Sequence, residues 1–434
     1  MKKGKFFVIS LGCPKNQVDS EVLIGTLENR GFQFEETEDL DFVVVNTCGF
    51  ISEAVEESYA TIKHLVSLKK EGRIKRIVVT GCLVQRFKEK IKRDFKDVDI
   101  VLGIDDELSL PEILEDSRKD FKILPSRWIY SGYEPRVLLS PNYAYVKVAE
   151  GCNRRCSFCI IPKMRGRYRS RPVESIVDEV YSLANIGIKE VVLVAQDLTL
   201  YGYDIYGRPM LDRLIREIDL IPGIEWVRLM YLYPSGLNMK IIDAIGESRK
   251  VVRYLHIPIQ HASSRILKRM RRAGGRKAIE RSFRLIRNHL PEFFIRTEVI
   301  AGFPGESEGD FKDLYMFLED WRPERLAVFP YSDEKEAHSY KLDGKVPLEL
   351  VNERVSELIL LAQDLMFEVQ ESFVGQQIPV IVDNDLEGRT EFDAPEVDFV
   401  VKLKSRPEGS VVKVEIVSVE PSGDLAGRIL EKVA

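Results

Sequence analysis

A rhythm of short β-forming runs and longer helical stretches restricts this chain more than any other feature. In the first third, the apolar runs 6–10, 42–45 and 77–80 each have the length and composition of a buried strand. Two helical stretches lie between them. Residues 18–30 end before Gly31, a residue suited to close a helix. Residues 51–70 carry Ile51, Val55, Tyr59, Ile62 and Val66 as a stripe at helical spacing. A basic helix over 84–95 leads to a further strand over 99–104. Such alternation predicts a parallel, doubly wound sheet. All strands of that sheet point the same way, and ligands bind outside their carboxyl ends.

The rhythm continues through the middle of the chain. Strands are expected over 145–149, 190–195, 226–231, 254–259, 293–300 and 325–329. Helices are expected over 173–186, 238–245, 263–271, 276–289 and 307–319, with Ser307 as an N-cap. Six strand–helix units are too few for a closed eight-unit barrel. A partial, open (β/α)6 barrel is therefore expected, with its working face at the carboxyl ends of the strands. From Val369 the helical period gives way to alternation over 378–382, 397–403 and 411–419, which predicts a small β-barrel. A chain of 434 residues should hold two to four domains. The expected division is 1–130, 138–368 and 369–434: an α/β sheet domain, an α/β partial barrel and a small all-β domain.

The six cysteines fall into two groups. Cys152, Cys156 and Cys159 form a C-x3-C-x2-C run on the loop that leaves the strand over 145–149. Thiolate is a soft ligand suited to iron–sulfur clusters or zinc. A 4Fe-4S cluster usually takes four cysteines. Here no fourth lies nearby, so one iron would stay open to a substrate atom. A structural zinc site wants four ligands, commonly as two pairs, and fits the spacing less well. Cys13, Cys48 and Cys82 each lie within a few residues of a strand's carboxyl end, so they should converge on one sheet edge as a second open triad. The plain alternative is three small buried hydrophobes. Composition leaves these thiols free. No apolar run approaches a membrane span, the amino terminus has no secretory pattern, and a cytoplasmic chain keeps its thiols reduced. A net charge of −5 does not mark a nucleic-acid binder.

With Phe158 just before its last cysteine, the C-x3-C-x2-C loop resembles that of the radical S-adenosylmethionine (SAM) enzymes. The resemblance implies that the open iron holds the amino and carboxylate groups of SAM. It also implies that one electron cleaves SAM to methionine and a 5′-deoxyadenosyl radical. LGCPKNQVDSE, NTCGFI and TGCL, around Cys13, Cys48 and Cys82, resemble the amino-terminal domain of the methylthiotransferases within that superfamily. The first two segments look like the branch that modifies a ribosomal protein. The last domain is similar in position to the family's TRAM domain.

The resemblance carries further expectations. Cys152, Cys156 and Cys159 would hold the radical-generating 4Fe-4S cluster, and Cys13, Cys48 and Cys82 a second one that presents sulfur. SAM contacts would come from Phe158, Gln196, Asp197, Gln260, Arg296 and Glu298. The family often carries Gly-Gly-Glu after the second barrel strand, where this chain has Ala195-Gln196-Asp197. Plainer roles are a helix cap for Gln260 and a cross-strand ion pair for Arg296 with Glu298. The basic run Lys163, Arg165, Arg167, Arg169 and Arg171 is either a contact for an anionic group or a solvated face. No histidine is assigned to catalysis.

The implied reaction inserts a methylthio group at the β-carbon of an aspartate in small-subunit ribosomal protein twelve, giving 3-methylthioaspartate. It needs a second SAM as methyl donor, sulfide or another sulfur donor, and an external electron donor such as flavodoxin or ferredoxin. The rival within the family is methylthiolation of a tRNA adenosine. Rivals outside it are a non-catalytic iron–sulfur carrier or RNA-binding module, and radical chemistry without sulfur insertion. From Glu371 onward thirteen Asp and Glu stand against seven Lys and Arg. That balance argues against RNA and for a basic protein partner.

Overall fold

The computed structural model describes residues 3–432 except 38, 116–122 and 124–125. The first sheet holds β1 (Lys5–Ser10), β2 (Gln33–Phe34), β3 (Leu40–Thr47), β4 (Ile74–Gly81) and β5 (Ile100–Val101). Its order is β2-β1-β3-β4-β5, and every pair is parallel. Alternate residues of β3 face opposite sides, as the two-residue period of a strand requires. Val43 and Val45 pack with Ile62 and Leu65 of helix α2 (Ser52–Lys70), while Phe42 and Val44 pack with Leu23, Ile24 and Leu27 of helix α1 (Pro14–Asn29). Both faces are covered, so the sheet is doubly wound.

The central sheet runs β6 (Tyr143–Lys147), β9 (Glu190–Val194), β10 (Trp226–Leu229), β11 (Val251–His256), β12 (Phe294–Ala301) and β13 (Arg325–Pro330), all parallel. β6 and β13 are its two edges, so the barrel is partial. A short antiparallel pair, β7 (Ala149–Glu150) with β8 (Arg169–Ser170), closes the base of the cysteine loop. The last domain is a closed barrel of β14 (Gln377–Val382), β15 (Glu387–Arg389), β16 (Val401–Leu403), β17 (Val411–Val419) and β18 (Leu425–Lys432).

Several elements depart from the sequence reading. α1 begins at Pro14 rather than at residue 18, with Cys13 as its N-cap residue; proline suits the first helical turn. The helix expected over 84–95 is broken at Lys88, whose φ is +47°, into α3 (Cys82–Phe87) and Glu89–Asp94. The strand over 99–104 shrinks to two residues. β11 sits three residues earlier than expected, because Pro258 has no N–H to give a ladder. Helices Leu211–Asp219 and Leu348–Glu371, and strands β15 and β18, were not anticipated.

The last domain is fixed against the amino ends of the central strands. Tyr143 donates to Glu396 (2.8 Å), Arg389 to Glu190 (2.8 Å) and Arg325 to Asp393 (2.7 Å). Phe294 packs on Phe392 with ring centroids 4.3 Å apart. Residues 389–398 thus floor the barrel, and Ala394 joins its interior core with Tyr145, Val192 and Tyr254. This also changes the charge argument. Asp383, Glu391, Asp393 and Asp398 are spent on Arg389, Arg253, Arg325 and Arg296, so the outward face is less acidic than the residue count implies.

Candidate iron–sulfur site

The three cysteine-bearing loops of the first sheet meet at its carboxyl edge. Three of the molecule's cysteines follow a glycine with positive φ: Gly12 (+93°), Gly81 (+95°) and Gly151 (+76°). A Cβ on Gly12 would lie 2.7 Å from Cys48 Cβ, so the first two loops touch. Asn16, on the first turn of α1, is the hub. Its Nδ2 donates to the carbonyls of Leu11 (2.8 Å) and Thr47 (3.1 Å), and its Oδ1 accepts from Cys82 Sγ (3.7 Å). Asn46 reinforces it, donating to the Asn16 carbonyl (2.9 Å) and to Ser20 Oγ (3.0 Å).

Cys152, Cys156 and Cys159 sit at the carboxyl end of β6 on a loop pinned from behind. Ser157 N donates to the Met270 carbonyl (2.9 Å), Ser157 Oγ to the Arg269 carbonyl (2.8 Å), and Ser339 N to the Ser157 carbonyl (2.8 Å). Arg154 N reaches Cys152 Sγ (3.3 Å), and Arg272 Nη1 reaches Cys156 Sγ (3.6 Å).

All six cysteines are unpaired. Burial pushes the Cys48 thiol up, Cys82 and Cys159 to about 12, and Cys152 to about 11. These four thiols therefore hold their protons, and iron would have to displace them. Among the described residues no three His, Cys, Asp or Glu side chains close on one point as ligands of a single ion would. A cubane cluster asks something different: one thiolate at each of several separate irons. Three soft donors with no carboxylate among them fit that demand.

A buried charge network joins the two triads. Arg165 donates through Nε to Cys82 Sγ (3.2 Å), through Nη1 to Asp19 (2.6 Å) and Glu150 (3.1 Å), and through Nη2 to Asn16. Lys147 pairs with Asp19 and with Glu150 (3.1 Å). Cys82 also packs with Ile160 and Met164, next to Cys159. The basic run is thus neither a solvated face nor one anion site. Arg165 and Arg171 are buried and paired, the latter to Glu179, while Lys163 and Arg167 are exposed. Sequence reasoning missed Asn16, Asp19, Lys147 and Glu150. The one available signal was the polar run Lys15 to Glu21 on a helix that had to be buried.

The residues expected to contact SAM are placed unevenly. Phe158 packs against Ile266, Met270 and Phe303. Gln196 Nε2 donates to Glu150 (2.6 Å), while its Oε1 is buried with no partner among the described residues. Asp197 is buried and occupied, accepting from Thr199 Oγ1 (2.6 Å) and Arg154 Nε (2.8 Å). Gln260 is no helix cap. It stands at φ +74°, bridges to Val299 through its backbone, and its side chain has no partner among the described residues. A non-glycine residue is uncommon in that region of backbone space, and Gln260 shares it with Tyr231 and Arg271. Arg296 and Glu298 lie two apart on one strand and pair there (2.8 Å), so the ion pair is not cross-strand. Arg296 also reaches His256 (3.0 Å) and Asp398 (3.2 Å). Burial alone would raise Glu298, but His256 and Arg296 outweigh it and hold the carboxyl at about 2.

Residues 5–103 match the uncharacterized protein family UPF0004, 146–318 the radical SAM superfamily and 374–430 the TRAM domain. Ribosomal protein uS12 methylthiotransferase RimO of Clostridioides difficile is 38% identical over 99% of this chain and 100% of its own length. The same-named protein of Aquifex aeolicus is 41% identical over 98% of both chains. The chain belongs to the uS12 methylthiotransferase family. Among solved structures, this chain's fold resembles that of the radical SAM methyltransferase TsrM of Kitasatospora setae, at a TM-score of 0.56 and 17% identity over 76% of this chain and 75% of that one. At that identity the likeness concerns the fold alone.

Proposed function

We propose that this chain is a radical SAM transferase that inserts a methylthio group at the β-carbon of an aspartate in ribosomal protein uS12, giving 3-methylthioaspartate. The observation that carries this reading is the pair of thiol triads with Arg165 between them, reaching Cys82 of one and Glu150, two residues before Cys152, of the other. A β C–H bond is not acidic enough for an ordinary base, so a radical must take the hydrogen. Cys152, Cys156 and Cys159 hold the 4Fe-4S cluster that, with SAM, supplies that radical chemistry. Cys13, Cys48 and Cys82 hold a second cluster that presents sulfur. Gln196 Oε1, and the side chain of Gln260, are free to accept from SAM. Arg296 and Glu298 act from behind, since their hydrogen bonds are spent within the barrel. Arg165 and the apolar contact of Cys82 with Ile160 keep the sulfur-bearing edge against the radical-bearing loop, because reacting atoms must come within near-bonding distance. A sulfur donor and a one-electron carrier complete the reaction, in the cytoplasm where the ribosome is built.

The test is anaerobic. The reconstituted protein, SAM, a reductant and sulfide are offered a peptide spanning the uS12 aspartate and, separately, unmodified tRNA. A methylthio mass increment on the peptide alone is expected. An increment on tRNA alone would overturn the substrate. Cys13→Ala should still cleave SAM but give no methylthio product; an unimpaired yield would sink the two-cluster scheme.

A further inference from the structure

The back of the cysteine loop carries a concentration of positive charge that the reaction at its front does not use. Between residues 265 and 289 ten Lys and Arg stand against one Glu, in a chain whose net charge is −5. Arg265, Arg269, Arg276, Arg284 and Arg287 pair with carboxylates, but Lys268 and Arg271, beside the loop, pair with none among the described residues. Two segments meet the loop at Ser157: 269–270 through two hydrogen bonds, and 337–342 through Ser339 N. Arg271 ties those two segments together by its contact with His338 (2.7 Å). Around this junction Arg155, Lys268, Arg271, Lys335 and Lys341 are exposed.

The carboxylates nearby are already taken. Asp333 pairs with Lys345, Glu334 and Glu336 with Arg86, and Asp343 with Arg269. No carboxylate among the described residues pairs with Lys268, Lys335 or Lys341. The surface therefore presents uncompensated cations to solvent. Beneath it the path to a thiol is short: Met270 carbonyl, Ser157 N–H, then the peptide bond to Cys156.

We propose that this face docks an acidic one-electron carrier protein and that its cations set the speed and register of that encounter. The inference rests on the reading that Cys152, Cys156 and Cys159 hold a redox cluster. Charge complementarity selects an acidic partner, and the short path makes this the surface where an electron enters. In the step itself the carrier is oxidised by one electron and the cluster reduced by one, with no bond made or broken. Phosphate-rich RNA would also answer to positive charge, but it would have no reason to centre on the loop that bears the thiols.

The test uses reconstituted holoenzyme and Lys268→Glu/Lys335→Glu/Lys341→Glu, none of which touches a cysteine. Reduced flavodoxin serves as the acidic carrier and dithionite as a small reductant that needs no docking. With dithionite, variant and wild type should cleave SAM at equal rates and show the same reduced-cluster resonance. With flavodoxin, the variant should lose about tenfold or more in rate at low salt, the scale of electrostatic steering. The wild-type rate should itself fall as salt is raised. Equal flavodoxin rates in both proteins would overturn the proposal. So would a variant that loses affinity for small ribosomal subunits while keeping its flavodoxin rate, which would make the face an RNA contact. Failure of wild type to cleave SAM even with dithionite would instead overturn the cluster reading beneath it.

Discussion

The two thiol triads are built in opposite ways. Cys152, Cys156 and Cys159 come from one loop, held by backbone hydrogen bonds to its neighbours. Cys13, Cys48 and Cys82 come from three strand ends, held by side chains that are themselves buried and polar: Asn16, Asn46 and Arg165. In the first arrangement the thiols share one stretch of chain, and the distant tethers of Ser157 to Met270 and Ser339 run backbone to backbone, where no side-chain change removes them. The second depends on side-chain contacts between residues more than a hundred positions apart, as Arg165 is from Asn16 and Asp19. Damage should therefore fall on the two sites unequally.

Arg165→Met is the strongest way to break the comparison. It leaves Asp19 and Glu150 buried with only Lys147 between them and removes the donor to Cys82. Breaking such a buried pair costs about 3–5 kcal/mol. If each triad holds a cluster, as proposed, the reconstituted variant should lose that at Cys13, Cys48 and Cys82 and keep that of the barrel loop, as read by iron content and electron paramagnetic resonance. Retention of both clusters would show that the distributed site is no more fragile than the local one.

Glu107 sharpens the same contrast through pH. It accepts from Thr80 Oγ1 (2.8 Å), two residues before Cys82, and burial together with the Asp19 charge pushes it up to about 8. A carboxyl raised on folding binds its proton more tightly in the native state. Its contribution is complete below the ordinary carboxyl range and is lost as pH rises through about 8. Denaturant midpoints of the wild type should thus fall between about pH 5 and about pH 9, and Glu107→Gln should flatten that slope. An unchanged slope in the variant would remove Glu107 from the supports of the first site.

The smallest effect belongs to the local site. Ser157→Ala removes the hydroxyl bond to the Arg269 carbonyl but keeps the amide bond to Met270. A loss of about 1 kcal/mol is expected, with full iron at Cys152, Cys156 and Cys159. Loss of that iron would mean the loop needs its tether as much as the sheet edge needs its hub.

What the sequence disclosed follows the same divide. The parallel sheets were legible because strand runs and helical stripes are local patterns, and the C-x3-C-x2-C loop because its spacing is short. Convergence of Cys13, Cys48 and Cys82 was legible only through the direction of parallel strands. The hub was not. Asn16 lies outside the helix expected over 18–30, nothing in the sequence gives Asp19 or Glu21 a role, and their partners Arg165, Lys147 and Arg136 lie far along the chain. Arg165 and Arg171 alternate with exposed Lys163 and Arg167, so burial split a run that composition treats as uniform. The acidic count of the last domain overstates its outward charge for the same reason, since Asp393 and Asp398 face inward to Arg325 and Arg296.

The last domain is seated at the amino ends of the central strands, whereas both triads lie at the carboxyl ends. A strand of five to eight residues, the span from β6 to β12, covers about 17–27 Å. A protein gripped by the outer face of that small barrel would have to deliver its aspartate across this distance. About five to eight extended residues reach that far. The geometry therefore favours a substrate whose target sits on a projecting loop, and it would exclude one whose aspartate lies flush with the surface being held.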